Sequence, residues 1–437
     1  MKKLCIAFLL IVSIVTLVGC NKDEEEAGGL VTVKMSLKNS INENDGWFAM
    51  IAAANQLLEA ENIKIEPEII KTDSWDEYYT KVTTNIVGKT GGTIGRIAES
   101  HIPKMIQKKQ LQDLTSVYNS LDMSKYNAEA FESVAKKDGK YYGLPTGVQH
   151  MVLYYNKRIF DEYNASHPED QIAYPSSDWE NPSTFAEIKT LAEKLSSGNT
   201  PNRNYGLSAG PFLSYAGMYA LSCGGNNIFD AEGKCSIDTP AFMKVYEWFD
   251  SMLKADLMPK PADTQIETSM DKFLLGKVAM NIDGAWWLHD MTQVTDFEVG
   301  IAAVPVGNAE SHGYSTSFTD CFFAVSTSKH PEADKKAIAA LMSVEAIKAV
   351  SEHGVGGIPV HKDAVDSFKT VLTEHFDNVS ATSFLAGANY TVHVPYSTYY
   401  NTVDQQINQK MSVWLNDGMT YEAFVKFMDE TMKSEMD

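Results

Sequence analysis

Between residues 30 and 37 apolar side chains fall on every second position: Val31, Val33, Met35 and Leu37. That period predicts a strand with one face in a core. A polar stretch from Lys38-Asn39-Ser40 to Asp45-Gly46 separates it from Phe48, Ile51, Asn55 and Leu58, which recur at helical spacing. Ile63, Ile65 and Ile69 restore the strand period around Pro67. Strand, helix and strand in this order predict a parallel pair joined by a right-handed crossover. Residues 75–88 read as a further helix, 93–99 as a third short strand running into a loop, and 103–110 as a helix. Asp138-Gly139 is a hairpin signal. The β-rich run after it continues through Gly147 to Met151-Val-Leu-Tyr-Tyr155. Coming after a set of β-α units, so long a run predicts a strand that leaves one sheet and enters another.

Past that run the pattern starts again. Thr184-Phe-Ala-Glu187 has the form of a capping box, with Phe185, Ile188 and Leu195 on one helical face. Residues 204–208 read as a strand and 211–221 as an aromatic-rich helix. Thr239-Pro240 opens another helix striped by Phe242, Val245, Phe249 and Leu253. Val278, Met280 and Ile282 then alternate as a strand, a turn is expected at Asp283-Gly284, and two indoles follow, Trp286 and Trp287. Adjacent residues near a strand end tend to point opposite ways, so one indole is expected in the core; that the other, Trp286, faces a ligand rests mostly on the resemblance described below. Residues 297–305 and 321–326 read as strands, 331–351 as one helix, 355–359 as a tight glycine loop, and 395–414 and the segment after Thr420 as helices.

The first residues stand apart. Lys2-Lys3 precedes an apolar run over residues 4–18 that ends in Leu17-Val18-Gly19-Cys20. This is the layout of a secretory signal, and the run is short for a bilayer span. Its end resembles the bacterial lipobox, which implies removal of residues 1–19, lipidation of Cys20 and an acidic, flexible tether over 20–29. The remaining body is too long for one ordinary domain, so two lobes are expected. A 44% hydrophobic content supports a large core. The net charge is -20, and loss of Lys2 and Lys3 with the signal leaves -22. Such a surface argues against nucleic acid and polyanionic ligands and favours neutral or cationic ones. Cys223 and Cys235 flank an apolar and polar loop and could bridge in an oxidising compartment, with free thiols as the alternative; no Cys or His spacing resembles a metal site.

No catalytic signature is present: no Gly-x-Ser-x-Gly elbow, no His-Glu-x-x-His, no P-loop and no dinucleotide fingerprint after a strand. No catalytic residue, cofactor or metal is therefore predicted. Carboxylate pairs are too common in an acidic chain to point to glycoside hydrolysis. Binding is better supported. Sugars present flat patches of C–H bonds ringed by hydroxyls, which aromatic faces and polar side chains match. Aromatic residues with polar neighbours occur at Asp45-Gly-Trp47, Asp283-Gly-Ala-Trp286 and Tyr399-Tyr400. Trp75, Trp179 and Trp414 are assigned to packing.

Several motifs in this order resemble the extracellular solute-binding proteins of sugar importers, the maltose-binding-protein-like group. They are the lipobox at Cys20; Gly139-Lys-Tyr-Tyr-Gly-Leu-Pro145 with Leu153-Tyr-Tyr-Asn-Lys157; Pro182-Ser-Thr-Phe-Ala-Glu-Ile188; Phe273-Leu-Leu-Gly-Lys-Val-Ala-Met280 running to Gly284-Ala-Trp286; and Gly300-Ile-Ala-Ala-Val-Pro-Val-Gly307. The resemblance implies an α/β, two-lobed periplasmic-binding-protein-like (type II) fold, with mixed sheets flanked by helices and a ligand cleft between the lobes. The lobes are expected at residues 30–147 plus 304–345 and 148–303 plus 346–437. It implies a lipid-anchored receptor, acting as a monomer on the extracellular face of the membrane, that delivers an oligosaccharide to ABC-transporter permease subunits. The family's Gly-x-Trp tryptophan, which stacks on sugar, matches Trp286, with Asp283 and Trp287 beside it. Its C-terminal stacking aromatics fall near Tyr399 and Tyr400, and an aromatic after a proline falls near Phe212. A carboxylate on the first crossing strand is replaced by Gln149. First-strand loop contacts fall near Asn39 and Ser40, with Trp47 after them, and third-strand contacts near Glu99 and His101. The chain departs from the pattern at Gly92-Thr-Ile-Gly-Arg96, where the family has Pro-Asp. A cell-surface glycoside hydrolase, and a receptor for a peptide or polyamine, are the alternatives.

Overall fold

The structure is a computed structural model and describes residues 29–40, 43–132, 135–199, 203–230, 234–394 and 396–436. The expected leader, Cys20 and most of the tether lie outside the described residues. The opening unit forms as its periods dictate. β1 (Val31–Lys38) and β2 (Ile63–Ile70) pair in parallel along their whole length, from Val31↔Ile63 to Lys38↔Ile70. The helix Asn44–Leu58 runs between them and buries Met50, Ile51, Ala54 and Leu58. β3 (Ile94–Ala98) lies parallel on the other side of β1. A two-stranded ribbon follows, β4 (Lys136–Lys137) and β5 (Lys140–Tyr141). It turns on Asp138 and Gly139, whose φ angles of 52° and 77° make the hairpin turn that the Asp-Gly pair favours.

β6 (Leu144–Pro145) ends the first sheet's share of this segment, and one residue later β7 (Gly147–Asn156) enters a second sheet. That sheet collects β8 (Tyr205–Ala209), β9 (Val278–Gly284), β10 (Val299–Ala302) and β11 (Ser315–Phe318). β12 (Asp320–Ala324) returns to the first sheet; β13 (Ile358–Pro359) and β14 (Thr391–His393) add to the second. The strand orders are β2-β1-β3-β12-β6 and β14-β11-β7-β9-β8, with β10 and β13 also pairing with β7. Both sheets mix parallel and antiparallel pairs and carry helices, as in a two-lobed α/β molecule.

Two crossings lie side by side. β6 to β7 passes through Thr146, and β11 to β12 passes through Thr319. Their ladders continue on both sides, Leu144↔Phe322 in one sheet and Gln149↔Phe318 in the other. Between them the Thr146 N–H donates to Asp320 O (2.9 Å) and the Thr319 hydroxyl donates to Gly147 O (2.5 Å). The expected lobe limits move accordingly. Residues 315–318 still belong to the second sheet, so the second crossing lies at Thr319 and not at 304. Ile347, Val350, Val355, Val360 and Ala364 pack in the first lobe's core with Met35 and Trp47, whereas Phe368 and Leu372 join the second. The third crossing is therefore not at residue 345: β13 touches β7 at Ile358–Pro359, and the packing passes from the first core to the second between Ala364 and Phe368.

The expected helix over 331–351 is two, Pro331–Leu341 and Val344–Ser351. Ser343 leaves helical geometry between them, and its hydroxyl accepts the Ala346 N–H at 3.2 Å. The capping box forms: the Glu187 N–H reaches Thr184 Oγ1 (3.2 Å) and the Thr184 N–H reaches Glu187 Oε2 (2.7 Å). Cys223, Cys235 and Cys321 are free thiols, so the bridge considered for the first two is not made. Among the described residues no helix is long and apolar enough to cross a membrane.

Candidate functional site

A cavity of about 300 Å³ lies between the lobes against the crossings. Its first-lobe wall begins where β2 hands over to the helix Trp75–Gly88. Ser74 caps that helix, accepting the Glu77 N–H at 3.1 Å. A helix that starts after a parallel strand sets its first turn at the carboxyl edge of the sheet, where α/β proteins bind ligands. Trp75 and Tyr79, one turn apart, line the cavity from there, with ring centroids 5.8 Å apart. The same period turns Tyr78, Val82 and Ile86 into the core.

Arg96 reaches the cavity from the middle of β3. Its guanidinium bridges Glu43 (3.1 Å) and Asp320 (2.8 Å) and sits over the rings of Trp47 (4.3 Å) and Trp75 (5.1 Å). Burial disfavours the guanidinium charge, and the two carboxylates outweigh it, so the group is held more firmly protonated than usual. Burial pushes the Asp320 carboxyl up against the pull of Arg96. Glu99, just past β3, is buried at 6% exposure. Burial raises its carboxyl well above the usual range, opposed by the Thr319 N–H that donates to Oε1 at 3.2 Å. Gln149 and Thr319 from the crossings complete the floor.

The second lobe supplies Trp286, Phe318, Tyr396 and His289. Trp286 presents its ring beyond the end of β9, edge-on to Phe318 at 5.3 Å and 80°. The expected role of Gly284 as a turning point needs correcting. β9 runs through it with an ordinary φ of -86°. A Cβ there would stand 2.2 Å from the indole carbons of Trp286. Glycine is present so that the ring can lie on the backbone. Tyr396 packs edge-on against Tyr400 at 4.8 Å and 89°. His289 Nδ1 lies 2.7 Å from the carbonyl oxygen of His353, which fixes the proton on that nitrogen.

Of the residues singled out from sequence, Trp286, Gln149 and Glu99 line this cavity. The others stand elsewhere. Trp47 is 1% exposed, edge-on to Phe322, and serves as the platform under Arg96. Asn39 Oδ1 accepts the Thr72 N–H at 2.7 Å, tying the ends of β1 and β2 together. Ser40 Oγ accepts the Glu43 N–H at 3.4 Å and so positions a lining residue without being one. His101 borders a neighbouring groove; its ring packs on Tyr79 at 4.4 Å and meets Asn401 Nδ2 at 3.1 Å, and burial pulls its pKa down to about 4. Tyr400 is buried beneath Tyr396, and Tyr399 stands just before the helix Tyr400–Leu415 without capping it. Phe212 is 38% exposed and two rings removed, touching Tyr215, which touches Phe318. Trp287 and Asp283 flank Trp286 outside the lining. Burial pushes the Asp283 carboxyl up to about 7, against hydrogen bonds from the Gly284 N–H and the indoles of Trp287 and Trp286.

Trp75 had been assigned to packing, and Tyr79, Arg96, Glu43, Asp320, Phe318, His289 and Tyr396 were not singled out. Two signals pointed to some of them. Trp75 and Tyr79 stand one turn apart at the start of a helix that follows a strand. Arg96 is a lone cation inside an apolar strand, at the point where the chain departs from the family pattern.

In fold the chain is similar to an ABC substrate-binding protein of Listeria monocytogenes in complex with cycloalternan, with a TM-score of 0.80 at 20% identity over 93% of this chain and 99% of that one. It is also similar to the GacH receptor of Streptomyces glaucescens, solved unliganded and with acarbose, with a TM-score of 0.76 at 18% identity over 93% and 98%. In sequence it is 24% identical over 392 residues to a protein of Brucella abortus (strain 2308) named as a binding protein without a stated ligand, covering 88% of this chain and 89% of the relative. The family model of the bacterial extracellular solute-binding proteins matches residues 49–378. With its two lobes, its paired crossings and the cavity they enclose, the chain belongs to that family.

Proposed function

We propose that this chain is the carbohydrate receptor of an ABC importer. It captures an oligosaccharide between its lobes and presents the closed, loaded form to the permease subunits in the membrane. One observation carries the reading: aromatic faces from both lobes, Trp75 and Tyr79 opposite Trp286, Phe318 and Tyr396, surround one cavity with polar groups between them. Rings take the C–H faces of a sugar, and Gln149, Thr319 and the carboxyl groups take its hydroxyls. The sugars held by the Listeria and Streptomyces proteins support the same ligand class. Contacts that exist only with the lobes together drive closure by differential affinity.

The receptor is anchored through lipid on Cys20 after removal of residues 1–19, with residues 21–29 as a tether, and acts as a monomer without catalysis. A thermal-shift panel of oligosaccharides, peptides and polyamines tests the reading. Ligand at a hundred times its Kd adds about 2.7 kcal/mol to stability, so the cognate sugar raises the midpoint plainly and is recovered intact. Stabilisation by peptides or polyamines alone, or cleavage of the sugar, refutes it.

A further inference from the structure

Three carboxyl side chains line the cavity, Glu43, Glu99 and Asp320, against one guanidinium, Arg96. Glu43 and Asp320 already engage Arg96 from two sides, so its charge is committed within the wall. Glu99 stands outside that cluster. It is more than nine-tenths buried, and among the described residues only its Oε1 meets a protein donor, the Thr319 N–H. Its second oxygen is left for whatever fills the cavity. The groups that act on it or feel it are Asp320 and the Cys321 thiol on β12 and the Tyr396 phenol from the other lobe, and none is a cation. The basic groups nearby are Arg96, engaged by its two carboxylates, His289, whose Nδ1–H is given to His353 O, and His101, whose ring faces Asn401 in the neighbouring groove.

A buried carboxylate without a counter-charge is costly and keeps its proton. A neutral hydroxyl leaves that state as it is. An ammonium removes the cost, because it lets the carboxyl ionise against a partner, and the electron-rich faces of the surrounding rings attract the same charge. An anionic sugar meets the reverse: among the described residues its carboxylate or sulfate finds no uncommitted Lys or Arg in this wall. We infer that the cleft prefers saccharides bearing a free amino group, held as an ammonium between Glu99 and the aromatic lining. This rests on the carbohydrate reading above. On binding, the Glu99 proton goes to solvent where the amine arrives as an ammonium and to the amine where it arrives neutral, so the bound pair is a carboxylate and an ammonium either way.

The test is titration calorimetry at pH 7 with three oligomers that share a β-1,4 backbone: chitosan oligomers, with free amines; chitin oligomers, with the amines acetylated; and cello-oligosaccharides. Maltotriose and spermidine complete the set. The chitosan oligomer is expected to bind about tenfold or more tighter than its neutral counterparts, the range of a hydrogen bond to a charged group. In Glu99→Gln, checked for folding by its thermal midpoint, the amino preference disappears. Equal binding, or any neutral sugar bound tighter than the chitosan oligomer, overturns the inference and leaves the carbohydrate reading standing. Retention of the preference in Glu99→Gln overturns it too. Binding of spermidine with no saccharide bound overturns the carbohydrate reading itself.

Discussion

The Trp286 ring occupies the space that any side chain at Gly284 would need, so the two residues act as a unit. Trp286→Ala removes the ring and leaves the backbone as it was. It is expected to weaken oligosaccharide binding by about 2 kcal/mol, roughly thirtyfold in Kd by calorimetry, as central tryptophans in binding sites do. The ring is only half-buried, so the apo midpoint should move little; a large loss of apo stability would mark the indole as core. Gly284→Ala keeps the ring and displaces it, and should reproduce most of the affinity loss. Asp283 beside them titrates. Its pKa rises from an ordinary carboxylate value to about 7 in the folded chain, so the folded state binds the proton more strongly. Its contribution to stability is complete below the unfolded pKa and is lost as pH rises toward 7 and beyond. Asp283→Asn should flatten the stability profile between pH 4 and 8 in urea titrations. The wild type's relative loss at the upper end can reach roughly 4 kcal/mol. A profile unchanged by the substitution would mean the carboxylate stays ionised and solvated.

At the scale of elements, the crossings place the site. Gly147 begins β7 where a Cβ would fall 2.0 Å from the Gly356 carbonyl oxygen, and Gly356 and Gly357 take positive φ angles of 86° and 79° to bring β13 alongside. Gly147→Ala must separate these strands. The expected cost is about 1–3 kcal/mol in chemical unfolding, since backbone has no rotamer into which to retreat. Much of this architecture was legible in the sequence. The parallel pair, the helix Trp75–Gly88, the Asp138-Gly139 hairpin and the Thr184 capping box all follow from local period and local hydrogen bonding. The lobe limits were not, because β11 is Ser-Thr-Ser-Phe and carries almost no apolar signal, while β10 and β12 are short; which sheet each joins is decided by long-range pairing. The site was legible in part for the same reason. Trp286 announces itself by the glycine two residues before it. Trp75 and Tyr79 share a helical period with core residues, and only the position of the helix start exposes them. Arg96 gains its meaning from Glu43 and Asp320, which lie far from it in sequence.

For the whole molecule the question is what holds two lobes in one arrangement. Among the described residues, two side chains of the second lobe, Asn401 and His289, reach the first lobe away from the crossings. Asn401, on the second lobe's helix Tyr400–Leu415, donates to Ser100 O (3.1 Å) and meets His101 Nδ1 (3.1 Å) in the first lobe. His289 of the second lobe donates to His353 O at 2.7 Å in the first. Parting the lobes breaks both. A neutral hydrogen bond contributes about 0.5–1.5 kcal/mol net, so Asn401→Ala should shift the population toward open and raise the apparent Kd for sugar about two- to tenfold. Solution scattering should show a larger radius for the unliganded variant than for the wild type. The pH sign follows from His101, whose pKa burial and Lys104 depress to about 4. Its ring accepts from Asn401 only while neutral. With the lobes apart it meets water and returns toward an ordinary histidine value. The contact is therefore complete near neutral pH and is lost as pH falls from about 6.5 toward 4. Wild-type affinity should decline over that window and the Asn401→Ala variant should decline less. Parallel declines in the two proteins would place the pH sensitivity in the cleft carboxyls and not in this contact.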